Sequence, residues 1–119
     1  MAYLGADGKT AQQQPEMDYK YELIVAVTNE GCTDMVMNAA RAAGARGGTA
    51  IHAKGTGEKD PRFYNITLAE EKEVVLIVSA AEQKAEIMSA ILKKAGPDTE
   101  AGTVVFSLPT TAVAGFGLF

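Results

Sequence analysis

Three short apolar runs constrain the fold of this chain more than any other feature of its sequence. They are rich in β-branched residues and too short for core helices: YELIVAVT at 21–28, EVVLIVSA at 73–80 and TVVFSLP at 103–109. Near-continuous apolar runs of this length are typical of strands in the interior of a sheet. A fourth run, GGTAIHAK at 47–54, places Ile51 on one face and His52 on the other, and it also predicts a strand.

The segment between the first two strands predicts a helix. Thr33 is the candidate N-cap, because a hydroxyl before an amphipathic segment can accept the first free backbone N–H groups. Gly44 is the expected stop, since glycine adopts the left-handed conformation that commonly ends helices. The residues that would face the sheet recur at helical spacing: Val36, Ala39, Ala40 and Ala43.

A second helix is predicted between the third and fourth strands. Ser79 and Glu82 match a capping box, so the helix should begin near Ala80. Gly96 and Pro97 should end it. Its predicted buried stripe consists of Ala85, Met88, Ile91, Leu92 and Ala95.

The resulting order, β-α-β-β-α-β, predicts an α+β fold of the ferredoxin-like type. This fold has a four-stranded antiparallel sheet with both helices on one face. The other face would then have no cover from its own helices, although several strands carry apolar residues toward it. The C-terminal sequence TTAVAGFGLF is also apolar, so we expect the chain to form oligomers.

Length, composition and charge limit the class of protein. With 119 residues the chain has room for one domain, which we place at 20–119, preceded by a polar N-terminal extension at 1–19. The net charge of −4 argues against a nucleic-acid partner, and no apolar run approaches the roughly 20 residues that span a bilayer. A single cysteine, Cys32, and no secretory leader predict a cytoplasmic protein that is not embedded in a membrane.

The clearest candidate for ligand binding is the glycine pair Gly55–Gly57, where the second strand gives way to a loop. Glycines at such a position allow backbone amides to approach a phosphate closely. Lys54, Lys59 and Arg62 lie nearby in the sequence and would supply positive charge. As an alternative, the same glycines form a plain turn.

No arrangement of residues predicts catalysis or a resident metal. The single histidine, His52, rules out any argument for a Ser-His-Asp triad. The acidic residues at 70, 71 and 73 beside Lys72 are interpreted as a solvated strand end. His52 and Cys32 could together ligate copper or zinc across a subunit interface, but a polar strand residue and a small filler are the simpler interpretations. We therefore expect a protein that is not an enzyme.

The sequence GGTAIHAKGTG at 47–57 resembles the second strand and loop of the PII nitrogen-regulatory signal proteins. The family pattern is Gly-x-Thr-x-x-x-x-Lys-Gly-x-Gly, and every fixed position is present. The other predicted elements follow in family order over about 20–110. The resemblance implies a homotrimer that binds nucleotides in clefts between its subunits.

Carried over residue by residue, the resemblance implies a ligand site formed by Gly47, Thr49, Gly55, Thr56, Gly57 and Gly102. The loop that contacts target proteins in the family, such as a transporter, an enzyme or a regulator, corresponds to 55–69. In some members a tyrosine of this loop is modified, and Tyr64 is the residue available here, although aromatic packing is the simpler interpretation. The expected ligand is a small anionic metabolite, most plausibly an adenine nucleotide.

Four departures from the family pattern argue against a simple transfer of the site, and two of them, at Thr103 and in the tail, remove positive charge. The loop is shorter, Lys59 replaces a glutamine, Thr103 replaces a lysine, and the C-terminal tail lacks arginines. Lys54, Lys59 and Arg62 are then the expected cations. Because ADP and AMP need fewer positive partners than ATP, we expect them to compete better against ATP than in typical members.

Three alternatives remain open at this point. A metal-binding trimer similar to the divalent-cation tolerance proteins would share the fold and would use His52 and Cys32. A small ferredoxin-like enzyme, such as an acylphosphatase-type hydrolase or a dimeric isomerase, would also share it. For the hydrolase Asn29 is present near the first turn, but no arginine accompanies it. An oligomeric scaffold without a ligand is the third.

Overall fold

The computed structural model describes residues 20–56 and 70–115. Its elements follow the predicted β-α-β-β-α-β order: β1 Tyr21–Asn29, α1 Thr33–Ala42, β2 Thr49–Gly55, β3 Glu70–Ala80, α2 Lys84–Ala95 and β4 Val104–Pro109. The strands form one antiparallel sheet in the order β2-β3-β1-β4. The ferredoxin-like fold predicted from the sequence is therefore confirmed.

The core lies between the two helices and one face of the sheet. Its largest fully buried apolar side chains come from four elements: Ile24, Val36, Val75, Ile77, Ile87 and Ile91. Burying an aliphatic side chain of this size stabilises the fold by roughly 1.5–3 kcal/mol. The buried positions of β3 alternate along the strand, which marks one face of the sheet as the core face, and both helices pack there.

The opposite face of the sheet, which we call the open face, is apolar across all four strands. The register aligns Val25 of β1 with Leu76 of β3 on one side and with Phe106 of β4 on the other. Ile51, Val104, Phe106 and Leu108 are each about half exposed, at 46–58% of their full surface. No helix among the described residues covers this face.

Both helices begin differently from the sequence-based prediction. Cys32, and not Thr33, is the N-cap of α1, and Thr33 is its first helical residue. The predicted capping box is wrong as well, because a 3₁₀ turn at Ala81–Gln83 precedes α2. Ser79 donates its hydroxyl hydrogen to the Ala80 carbonyl oxygen instead.

The ends of the helices are as predicted, but the buried stripe of α2 is rotated. Gly44 follows α1 with φ at +114°, and α2 ends at Ala95 before Gly96. Ile87, Ile91 and Ala95 are buried at a spacing of four residues, whereas Leu92 is 46% exposed. Ala85, which the predicted stripe also included, is exposed.

Candidate functional site

Lys72 lies where the apolar open face meets the end of the sheet that carries Gly55. Its ammonium donates a hydrogen bond to Asn29 Oδ1 at 2.7 Å, and its Nζ lies 3.3 Å from Glu70 Oε1. The side chain passes beside Gly55, where an added Cβ would stand 3.2 Å from Lys72 Cε. Only 23% of the Lys72 side chain is exposed, so the position of the charge is well defined.

Asn29, the last residue of β1, connects Lys72 to the loop before β4. Its side-chain Nδ2 donates to the Glu100 carbonyl oxygen at 2.9 Å, and its backbone N–H donates to the Ala101 carbonyl oxygen at 2.9 Å. Gly102 has φ at +53°, and a Cβ at this position would lie 3.1 Å from Asn29 Nδ2. We call Asn29, Gly55, Glu70, Lys72 and Gly102 the Lys72 cluster.

The Lys72 cluster has the chemistry of an anion site. A lysine ammonium carries three donors; one of them is directed to Asn29 Oδ1, and the Glu70 carboxylate lies 3.3 Å from the nitrogen as an ion-pair partner. Carboxylate and phosphate oxygens form the strongest hydrogen bonds with such a cation. The glycines leave room for the Lys72 stem beside Gly55 and for the Asn29 amide beside Gly102, so both side chains can reach this position.

The structure brings some of the predicted site residues together and separates others. Gly55 and Gly102 both belong to the Lys72 cluster, and the exposed Thr56 follows Gly55 directly. Gly47 and Thr49 lie at the other end of β2, about 20 Å away along the strand. A ligand that touches both ends must therefore extend along β2.

Of the cations predicted from the sequence, Lys54 does not lie in the Lys72 cluster. Lys54 directly precedes Gly55 on β2, and neighbouring residues of a strand point to opposite faces of the sheet. The Lys54 side chain therefore lies on the helix-bearing side, away from the Lys72 cluster. Gly57, Lys59, Arg62 and Tyr64 lie outside the described residues.

Lys72 is not evident as a site residue from the local sequence, because its acidic neighbours make the segment resemble a solvated strand end. The signal that could have found it is the period of two along β3, which places residues 72, 74 and 76 on the same face. Lys72 therefore adds a further cation to Lys54, Lys59 and Arg62, the cations expected from the sequence.

Thr103, where the family pattern has a lysine, faces the core and not the site. It is fully buried, and its hydroxyl donates to Thr28 Oγ1 at 3.0 Å. Thr28 in turn donates to the Ala101 carbonyl oxygen at 3.0 Å. A positive charge at this position would have no solvent and no anionic partner, so the cluster obtains its charge from β3.

A second polar group lies on the helix-bearing side, around Glu73. The Glu73 carboxylate accepts hydrogen bonds from the Thr33 hydroxyl, the Thr33 N–H and the Gly31 N–H. These bonds, that of the Thr33 hydroxyl foremost, hold the pKa of Glu73 below its ordinary value. Glu73 is 9% exposed, so its interpretation as part of a solvated strand end is wrong.

The Glu73 carboxylate stabilises the start of α1 from a distant strand. It accepts the free N–H groups of the first turn, the role that the sequence analysis gave to Thr33. His52 Nδ1 lies 3.9 Å from Glu73 Oε2, beside a cavity of about 270 Å³. Within residues 20–56 and 70–115, no group of three histidine, cysteine, aspartate or glutamate side chains is placed to hold a metal ion.

Comparison with known proteins identifies the family. The family model described as "Nitrogen regulatory protein P-II" matches residues 21–115, which is most of the chain. The chain belongs to the P-II family. P-II proteins are signalling proteins, so the family places this chain among signalling proteins. No curated protein sequence matches the chain closely enough to count as a relative.

Solved P-II structures share the fold at low sequence identity. PII from Arabidopsis thaliana, bound to citrate, is 21% identical with a TM-score of 0.57, and the match covers 77% of this chain and 76% of that one. A PII-like signalling protein from Thermus thermophilus is 16% identical with a TM-score of 0.60, and the match covers 80% of this chain and 91% of that one. In the described part of this P-II chain, neither helix is long and apolar enough to cross a membrane.

Proposed function

We propose that this P-II protein is a homotrimeric regulator that binds a small anionic metabolite at the Lys72 cluster. The observation that carries the proposal is the partly buried Lys72 ammonium, which Asn29 fixes at 2.7 Å and which already lies 3.3 Å from one carboxylate, that of Glu70. Nothing in the cluster suggests bond-making chemistry. The proposed protein senses a metabolite and does not transform it.

The open face supports a trimer in which the ligand lies between subunits. Val104, Phe106 and Leu108 on β4 are about half exposed in the single chain, and burying them against a second copy is favourable. The Lys72 cluster lies at the end of this same face, so contact between copies would place it at the rim of the interface. The P-II resemblance implies the same arrangement.

The proposed ligand is an adenine nucleotide. The citrate named for the Arabidopsis protein indicates that the fold accepts an anion with several charges. In the described residues, Lys72 is the one cation of the cluster, which favours ADP or AMP over ATP because fewer negative charges need partners. Gly47 and Thr49 would contact the part of an extended ligand that lies along β2.

The output of the proposed regulator is contact with a target protein through the loop at 55–69. A loop between two strands can couple ligand binding to a partner surface, because a few contacts decide its conformation. We place this activity in the cytoplasm and, by family, in nitrogen regulation. The sequence between Gly55 and Glu70 gives no chemistry that identifies the target.

Isothermal titration calorimetry tests the ligand site. We expect ADP to bind the wild type, and Lys72→Gln to weaken that binding by about 1.5–3 kcal/mol, the range for a charge-assisted hydrogen bond. Lys93→Gln is the matched control, because Lys93 is exposed on α2. Lys59→Ala in the same series tests the cation predicted from the sequence, with an expected loss of about 1–3 kcal/mol.

Two results would contradict the proposed site. If ADP, AMP and ATP each gave no heat with the wild type at millimolar concentration, the proposed ligand would not be an adenine nucleotide. Equal binding to the wild type and Lys72→Gln, with weaker binding to Lys59→Ala, would move the site away from the Lys72 cluster.

A further inference from the structure

Lys72 already holds a carboxylate in the structure. Glu70 Oε1 lies 3.3 Å from Lys72 Nζ, and the Glu70 side chain is 52% exposed. The two residues are two positions apart on β3 and therefore lie on the same face of the sheet. Glu70 is aligned with Gly55 in the register, so its side chain lies next to the Lys72 stem on that face of the sheet.

The ammonium cannot easily leave this position to meet a ligand elsewhere. Asn29 Oδ1 accepts a hydrogen bond from Lys72 at 2.7 Å, and Asn29 is itself held by Glu100 and Ala101 through two further bonds. The stem of Lys72 lies against Gly55. An anion must therefore come to the ammonium, and there it meets the Glu70 carboxylate.

Glu70, in contrast, is placed to turn toward solvent. Half of its side chain is exposed, and Lys72 is its charged partner within residues 20–56 and 70–115. An exposed ion pair of this kind is weak, worth up to about 1 kcal/mol. A bound phosphate or carboxylate that makes more than one contact can therefore displace it.

We propose that Glu70 is a built-in competitor for the anion site and thereby sets the affinity of the protein for its ligand. In the free protein the Glu70 carboxylate takes the place of the ligand anion on Lys72. A ligand binds only when it displaces Glu70, which turns toward solvent while Asn29 keeps the ammonium in place. This inference rests on the proposed function, because it assigns a specificity-determining residue to the same site.

If Glu70 competes with the ligand, its removal should raise the ligand affinity, whereas removal of a residue that binds the ligand would lower it. Glu70→Gln should bind ADP and citrate about two- to fivefold more tightly than the wild type, since the competing ion pair is gone. Glu71→Gln is the matched control. It removes the same charge one position away, but Glu71 lies on the other face of the strand, opposite Lys54.

A double-mutant cycle separates competition from general charge repulsion. In a Lys72→Gln background, Glu70→Gln should no longer tighten binding of ADP, because there is no cation left to compete for. Calorimetry at constant ionic strength measures all four proteins and the Glu71→Gln control. Circular dichroism of each variant checks that the fold is retained.

The possible results distinguish this inference from the proposed function. Wild type and Glu70→Gln with equal affinity for ADP and citrate would overturn the competition alone. A gain that persists in the Lys72→Gln background, or that Glu71→Gln reproduces, would also overturn it. No binding of either anion to the wild type or to Glu70→Gln would overturn the proposed function and the inference together.

Discussion

Glu70 and Glu73, two acidic residues of the same strand, have opposite surroundings because they lie on opposite faces of the sheet. Glu70 is half exposed on the open face and pairs with Lys72. Glu73 is buried on the helix-bearing face and accepts three hydrogen bonds from the start of α1. Successive residues of a strand lie on opposite faces of the sheet. The face therefore determines whether a carboxylate on β3 can affect ligand binding or the stability of the fold.

The surroundings of Glu73 predict an acid-sensitive contribution to stability. Its pKa in the fold is lowered, so the stabilisation is fully present above the ordinary carboxyl pKa. It is lost as the pH falls through the lower pKa of the folded state. Thermal unfolding of the wild type should therefore show a lower midpoint at about pH 3 than at pH 7.

Glu73→Gln should unfold at a lower temperature than the wild type at pH 7 and should lose less of its stability on acidification. Glu71→Gln is the control, because Glu71 is exposed. Differential scanning fluorimetry at several pH values measures both. If Glu73→Gln and the wild type lost the same number of degrees between the two pH values, the carboxylate would not be the acid-sensitive group.

At the scale of elements, the sequence could predict the features that depend on a few neighbouring residues, namely the strands and the ends of the helices. The apolar runs indicated the order of the strands, and Gly44 and Gly96 marked the helix ends because glycine stops act over a few residues. Contacts between distant segments could not be predicted. Lys72 and Asn29 are 43 positions apart, and only the register of β1 with β3 brings them together.

The start of α1 illustrates the same limit. Thr33 has the right residue type for an N-cap, and a local rule therefore selects it. The structure instead uses the Glu73 carboxylate, 40 positions away, which accepts the N–H of Thr33 itself. For the proposed ligand site, the family resemblance selected Gly55 and Gly102 but could not show that Lys72 and Asn29 connect them.

The loop before β4 is held in place by Asn29, and Gly102 lies against the Asn29 side chain, which predicts a specific cost for a side chain at position 102. Gly102→Ala should destabilise the protein by at least about 1–2 kcal/mol, because its φ of +53° disfavours L-residues. The added Cβ would also press on Asn29 Nδ2 at 3.1 Å. Urea unfolding measures the change in the free energy of unfolding.

Gly31→Ala provides the matched control for this prediction. Gly31 also has a positive φ, at +85°, but a Cβ there meets nothing within 4 Å. The difference between the two variants therefore isolates the contact with Asn29. A smaller loss for Gly102→Ala than for Gly31→Ala would show that Asn29 yields without cost and does not hold the loop.

At the scale of the whole molecule, the open face and the Lys72 cluster depend on each other in this account. The open face is too apolar to remain in water across four strands, and a second copy of the chain is the cover we propose. The cluster lies at the end of that face, so the ligand would contact more than one subunit. Assembly and binding should then be observed in the same particle.

Native mass spectrometry of the protein with ADP measures assembly and binding together. We predict a particle of three chains, each 12.5 kDa, that carries up to three ADP molecules. Glu70→Gln should show higher ADP occupancy at the same ligand concentration, and Lys72→Gln should show the trimer with little or no ADP. A single chain as the dominant species at micromolar concentration, or a wild-type trimer that remains free of ADP at millimolar ligand, would contradict the account.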